Sequence, residues 1–204
     1  MVGAPNRDRV AERRAATRRE ILEAAWEVAR EQGLAQLTLR EVATKVGMRA
    51  PSLYSHFASK HAIYDAMFRQ AWEAYEAEIE GLEERLPRDP RAALKAIAAS
   101  IVDFSLADLP RHQLMNQQTI PGFHPTPASY APAVRILERG QANLRRIGIT
   151  DPDAVELFTA VTVGLVNQQW ANDPGGDRWR RLLDRVVDMY ATEVGVPRPR
   201  RRTR

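Results

Sequence analysis

Apolar residues recur three and four positions apart along most of the chain, and the breaks fall on residues that start or stop helices. Asp89-Pro90 and Asp151-Pro152 each join a capping carboxylate to a proline whose fixed φ suits the first helical turn. Thr17-Arg18-Arg19-Glu20 and Thr38-Leu39-Arg40-Glu41 carry the capping-box pattern. The alternation expected of half-buried strands is missing. The pattern predicts an all-α chain: helices over 17–33, 38–47, 51–57, 59–86, 89–109, 128–146, 152–171 and 177–193, a short one at 111–118, and a proline-rich loop at 119–127. The basic ends, 1–16 and 195–204, read as disordered.

The 204 residues suffice for a sizeable core, and the absence of cysteine excludes disulfides, thiolate metal sites and a cysteine nucleophile. No apolar run approaches the ~18 residues of a membrane span, and the first ten residues lack the apolar stretch of a secretion signal. The expectation is a cytoplasmic protein with no membrane partner. Residues 1–60 hold 11 Lys/Arg and 7 Asp/Glu, 61–197 hold 14 and 19, and 198–204 hold 5 and 0. A mildly acidic middle between basic ends suits a protein that meets a polyanion at one face.

Residues 38–57, T-L-R-E-V-A-T-K-V-G-M-R-A-P-S-L-Y-S-H-F, read as two short helices joined at Gly47, a helix-turn-helix. Leu39, Val42, Ala43, Val46, Leu53 and Phe57 face inward, which leaves Arg49, Ala50, Ser52, Tyr54, Ser55 and His56 to project outward. Such a helix suits the DNA major groove. Arg7, Arg9, Arg13 and Arg14 suit an arm following the minor groove.

The run V-G-M-x-x-x-x-L-Y-x-H-F-x-x-K, ending at Lys60, with T-L-R-E-V-A before it and the first-helix pattern from Ile21 to Gly33-Leu34, resembles the DNA-binding domain of TetR-type repressors. The resemblance covers 17–80; residues 81–193 are similar only in helical style. It implies base or phosphate contacts from Arg40, base-facing positions at Ala50, Pro51 and Ser52, and phosphate contacts from Tyr54, His56 and Lys60. Thr38 combines capping with a phosphate contact. Two positions depart from the family pattern: Arg49 stands where Ser or Thr is common, and His61 where an acid is common.

The resemblance also implies the organisation: a basic arm (1–16), the DNA-binding domain (17–60), a connecting helix (61–86), a ligand-binding and dimerisation domain (87–193) and a basic tail (194–204). The expected function is a ligand-responsive regulator, a repressor, that binds a palindromic operator on double-stranded DNA as a homodimer. A small, partly apolar effector would release it, and the last two helices would pair the subunits. Phe104, Met115, Phe123, His124, Tyr130, Asn167 and Trp170 mix aromatic surface with polar handles and are the candidate effector contacts.

An enzyme is the weaker reading. His56, His61, His112 and His124 form no H-E-x-x-H, and G-x-S-x-G and a phosphate-binding glycine loop are absent, so no cofactor, metal or catalytic residue is expected. A sequence-nonspecific architectural DNA binder is the alternative function, and the large apolar body argues against it.

Overall fold

The computed structural model describes residues 6–198. Among them every regular element is helical: α1 Asn6–Gln32, α2 Leu39–Lys45, α3 Ala50–Leu53, α4 Lys60–Glu83, α5 Pro90–Leu106, α6 Leu109–Asn116, α7 Pro127–Ile147, α8 Pro152–Asn172 and α9 Leu183–Glu193. Two 3-10 turns, Leu34–Gln36 and Arg180–Leu182, complete the set. The chain divides into two compact units. The first comprises the residues up to Ala71 with Pro110–Tyr130, and the second Trp72–Leu109 with the residues from Ala131 onward.

In the first unit α1 packs on α2, and α2 on α3. Ile21, Ala25, Val28 and Ala29 line one face of α1 and are fully buried with Leu37, Val42, Leu53, Ile63 and Met67. Gly33 stops α1 at φ 90, a conformation that costs glycine little. The arm expected to be disordered over 1–16 is helical from Asn6; residues 1–5 lie outside the described residues. The stretch Val10-Ala11-Glu12-Arg13-Arg14-Ala15-Ala16 is dominated by good helix formers, and Arg14 and Arg18 anchor it to the helix-turn-helix. Thr17 therefore lies inside a helix. Its hydroxyl donates to the Arg13 carbonyl at 3.0 Å instead of capping.

In the second unit α5 packs on α8 and α9. Leu94, Ala98, Val102, Phe158, Val166, Leu183, Val187 and Tyr190 make its core. Asp89 and Asp151 cap as the sequence implies, accepting from the Ala92 amide at 2.8 Å and the Asp153 amide at 3.1 Å. Asp177 does not cap the last helix. Buried Gln169 accepts from the amides of Trp179 (2.8 Å) and Arg180 (3.1 Å), because the chain turns back against α8 before α9 begins.

The tail is also ordered further than expected. Val196 is buried, and the buried Arg91 guanidinium donates to its carbonyl at 2.8 Å, to the Asp188 carbonyl at 3.2 Å and to the Thr192 hydroxyl at 3.1 Å. Residues 199–204 lie outside the described residues. Arg91→Met keeps the side-chain length but strands these carbonyls. It is expected to cost about 2 kcal/mol or more, read as a lower urea midpoint at unchanged slope.

Within the same unit, three α7 residues one turn apart reach the end of α4. Arg135 meets Glu76 at 2.7 and 2.6 Å, Arg139 meets Glu80 at 2.9 Å and Glu83 at 2.7 Å, and Asn143 meets Glu83 at 2.8 Å. Hydrogen bonds from Arg135 and Arg139 hold the carboxyls of Glu76 and Glu83 below their usual range. A lowered carboxylate adds stability above the unfolded carboxyl's pKa, about 4.3, and loses it as pH falls through the folded value. Thermal stability is expected to be level above pH 5 and to decline toward pH 3, with a shallower decline in Glu83→Gln. The partial exposure of these groups keeps the effect small through solvent screening.

Candidate nucleic-acid interface

Thr38 begins α2 in an extended conformation. Its hydroxyl accepts from the Glu41 amide at 3.2 Å and donates to the Glu41 carboxylate at 2.6 Å. That bond, followed by one from Gln32, lowers the Glu41 carboxyl. Lys45, at the far end of α2, reaches Glu31 at 2.8 Å and Glu27 at 3.2 Å on α1, which fixes the helix along its length. Gly47 then turns the chain at φ 67, and Arg49 takes the N-cap position of α3 with no side-chain cap bond. An L side chain at Gly47 costs about 1–2 kcal/mol from backbone strain alone.

The regular part of α3 is four residues, Ala50–Leu53, followed by a tight turn through Tyr54, Ser55 and His56. Leu53 and Phe57 are buried behind it. Arg40, Arg49, Pro51, Ser52 and Ser55 are exposed, Tyr54 is 54% exposed, and Ala50 and His56 are half-buried. Of the six positions read as outward, Arg49, Ser52, Tyr54 and Ser55 are exposed, and Ala50 and His56 only partly so. Ser55 turns its hydroxyl back to the Ser52 carbonyl at 2.7 Å.

Two arginines of α1 secure the carbonyl end of this segment. Arg14 donates to the Ser55 carbonyl at 3.1 Å. Arg18 donates to the His56 carbonyl and lays its guanidinium 4.0 Å above the Phe57 ring. Sequence reasoning assigned Arg14 to a DNA-following arm and gave Arg18 no role. The available signal was their spacing of four, which aligns them on one helix face.

The start of α4 secures the entry to the motif. Tyr64 is buried, with its phenol pushed up to about 12 by desolvation, and its hydroxyl donates to the Leu34 carbonyl at 2.5 Å. Lys60, expected at a phosphate, donates to the Ala35 carbonyl at 3.2 Å and lies 5.4 Å from the Tyr64 ring centre. Thr38 and Lys60 both hold the motif in shape.

Four of the seven candidate effector contacts come together. Met115, Phe123, His124 and Tyr130 line a cavity of about 230 Å³ with Phe68 and Ile120. Phe68 and Tyr130 stack across it at 6.0 Å. Phe104, Asn167 and Trp170 belong to the second unit. There Phe104 is buried 4.7 Å from the Tyr75 ring, Trp170 donates to the Ser105 carbonyl at 3.3 Å, and Asn167 is exposed. The mix of aromatic and polar character singled these residues out but could not say which of the two units each belongs to. Asp65 was not foreseen. Its carboxylate accepts from the Thr126 amide (2.7 Å) and from the hydroxyls of Thr126 (3.1 Å) and Ser129 (2.7 Å), clasping the loop that walls this cavity.

No helix among the described residues is long and apolar enough to cross a membrane. Residues 21–67 match the family model for bacterial regulatory proteins of the tetR family. The transcriptional repressor KstR2 of Mycobacterium tuberculosis is 42% identical over 62 residues, 30% of this chain and 31% of that protein. The class C tetracycline repressor protein of Escherichia coli is 28% identical over 184 residues, 86% of this chain and 75% of that protein. The chain thus matches less than a third of KstR2's length. The crystal structure of PfmR, a TetR family transcriptional regulator from Thermus thermophilus, superposes with a TM-score of 0.62 at 21% identity, covering 83% of this chain and 96% of that one. Residues 21–67 are thus a helix-turn-helix domain of the kind found in bacterial regulatory proteins of the tetR family, carried on an all-helical chain.

Proposed function

We propose that the chain is a transcriptional repressor that binds a palindromic operator as a homodimer and is released by a small, partly apolar effector. The observation that carries this reading is the exposed row Arg40, Arg49, Pro51, Ser52 and Tyr54 on a rigidly held helix-turn-helix. Arginine can read guanine bidentately, and a tyrosine hydroxyl can bind phosphate. Dimerisation through α8 and α9 is supported by Leu157 on α8 and Met189 on α9, apolar side chains that are 43% and 64% exposed. The cavity walled by Phe123, His124 and Tyr130 is the proposed effector site. Helix α4, which carries Lys60 and Tyr64 at one end, is the proposed lever. The effector acts by favouring a conformation whose recognition helices no longer match successive turns of DNA.

Selection of DNA sites from a random pool at fixed salt tests the reading. A palindrome with half-sites about one helical turn apart is expected. Recovery of no motif, with binding that vanishes as salt rises, would overturn it in favour of sequence-nonspecific binding.

A further inference from the structure

Three of the chain's four histidines, His56, His61 and His124, line a single groove of about 640 Å³ in the first unit. They come from three segments: the end of the recognition turn, the first turn of α4, and the loop before α7. The lining takes in none of the exposed row Arg40, Arg49, Pro51, Ser52 and Tyr54, and the groove is larger than the effector cavity. Arg18 and Arg69 line it too. Among the described lining residues Asp65 is the one carboxylate, and it is engaged by Thr126 and Ser129. Three imidazoles and two guanidiniums therefore surround a space whose single acid is turned into the loop.

The described residues hold no cluster suited to a metal ion, so the histidines are not gathered as ligands. Nor are all of them consumed in packing. His61 and His124 are exposed, and the Nδ1 of His56 is buried with no hydrogen-bond partner. His61 and Arg69 lie eight residues apart on α4, which separates their backbones by about 12 Å. A ligand complementary to charges spread this widely carries more than one anionic group. The methyl groups of Ala58, Ala62, Ala66 and Ala128 give the same groove an apolar lining.

We propose that this groove binds a small organic anion bearing two or more carboxylate or phosphate groups. Imidazole is the side chain that ordinarily changes charge between pH 5 and 8, so such an anion binds more tightly as pH falls. The charged and titratable groups facing it are Arg18 from α1, His56 from the recognition turn, His61, Asp65 and Arg69 from α4, and His124 from the loop. Occupancy touches two functional elements. His56 and Phe57 end the recognition segment, and His124 also lines the effector cavity.

The test is a titration of the full chain with citrate, inorganic phosphate and acetate, without DNA, following the imidazole carbon-bound protons by NMR. Buried His112, outside the groove, serves as the internal control. Citrate is expected to shift the three groove imidazoles saturably, to leave His112 unmoved, and to bind at least five-fold more tightly at pH 6 than at pH 8. Acetate and phosphate are expected to bind more weakly. The double variant His61→Gln/His124→Gln should lower citrate affinity about ten-fold at unchanged melting temperature, and Arg69→Gln should lower it in the same direction. Equal binding of all three anions, equal shifts at His112, or undiminished affinity in both variants would overturn the proposal. Because no DNA is present, these outcomes are independent of operator recognition.

Discussion

Replacing Phe57 by alanine is expected to remove about 3–5 kcal/mol of stability, the usual cost of deleting a fully enclosed aromatic ring. Phe57 is 2% exposed, and its ring sits beneath the Arg18 guanidinium at 4.0 Å. The substitution therefore opens a cavity and removes a cation–π contact at once. Small domains hold only about 5–15 kcal/mol in total, so the loss should be evident as a large fall in the urea midpoint. It should also reduce DNA binding, because the ring supports the carbonyl end of the recognition turn. Phe57→Leu refills most of the volume and is expected to recover the larger part of both. A loss below about 1 kcal/mol, typical of a surface position, would show that the ring is not part of the core.

The second large effect falls on DNA affinity with stability nearly intact. Arg40 is exposed near the start of α2, and Arg40→Ala leaves the Thr38 cap and its Glu41 partner in place. Stability should stay within about 0.5 kcal/mol of the parent. A bidentate base contact contributes about 1–3 kcal/mol. In the proposed homodimer the side chain occurs twice, so affinity for the selected operator should fall roughly a hundred-fold, at about 1.4 kcal/mol per factor of ten. Titration of labelled operator and of a scrambled duplex at one salt concentration separates the possible roles. A loss confined to the operator identifies a base contact. An equal loss on both duplexes, with a smaller salt slope, identifies a phosphate contact. No change on either removes Arg40 from the interface.

The basic ends show how local reading can misjudge order. Arg7, Arg9, Arg13 and Arg14 suggested a solvated arm, because charge density ordinarily opposes packing. The described part is helix because α1 finds partners for two of its arginines far along the sequence: the Ser55 carbonyl is 41 residues from Arg14, and the His56 carbonyl is 38 from Arg18. Arg91 and Val196 repeat the point at the other end of the chain, across 105 residues. Sequence spacing carries no record of such meetings.

Periodicity, caps and prolines, which act within a few residues, determined by themselves that the chain is helical, where Thr38, Asp89 and Asp151 begin helices, and which side of the helix-turn-helix faces outward. Only the tertiary structure decided which charged groups are spent inside the protein. It bent Lys60 back onto the Ala35 carbonyl to hold the motif and committed Asp65 to the loop before α7. It also divided the aromatic residues between two interiors and gathered His56, His61 and His124 around one groove. Each of these depends on contacts between distant segments, where a side chain's partner is set by packing geometry rather than by its neighbours in sequence.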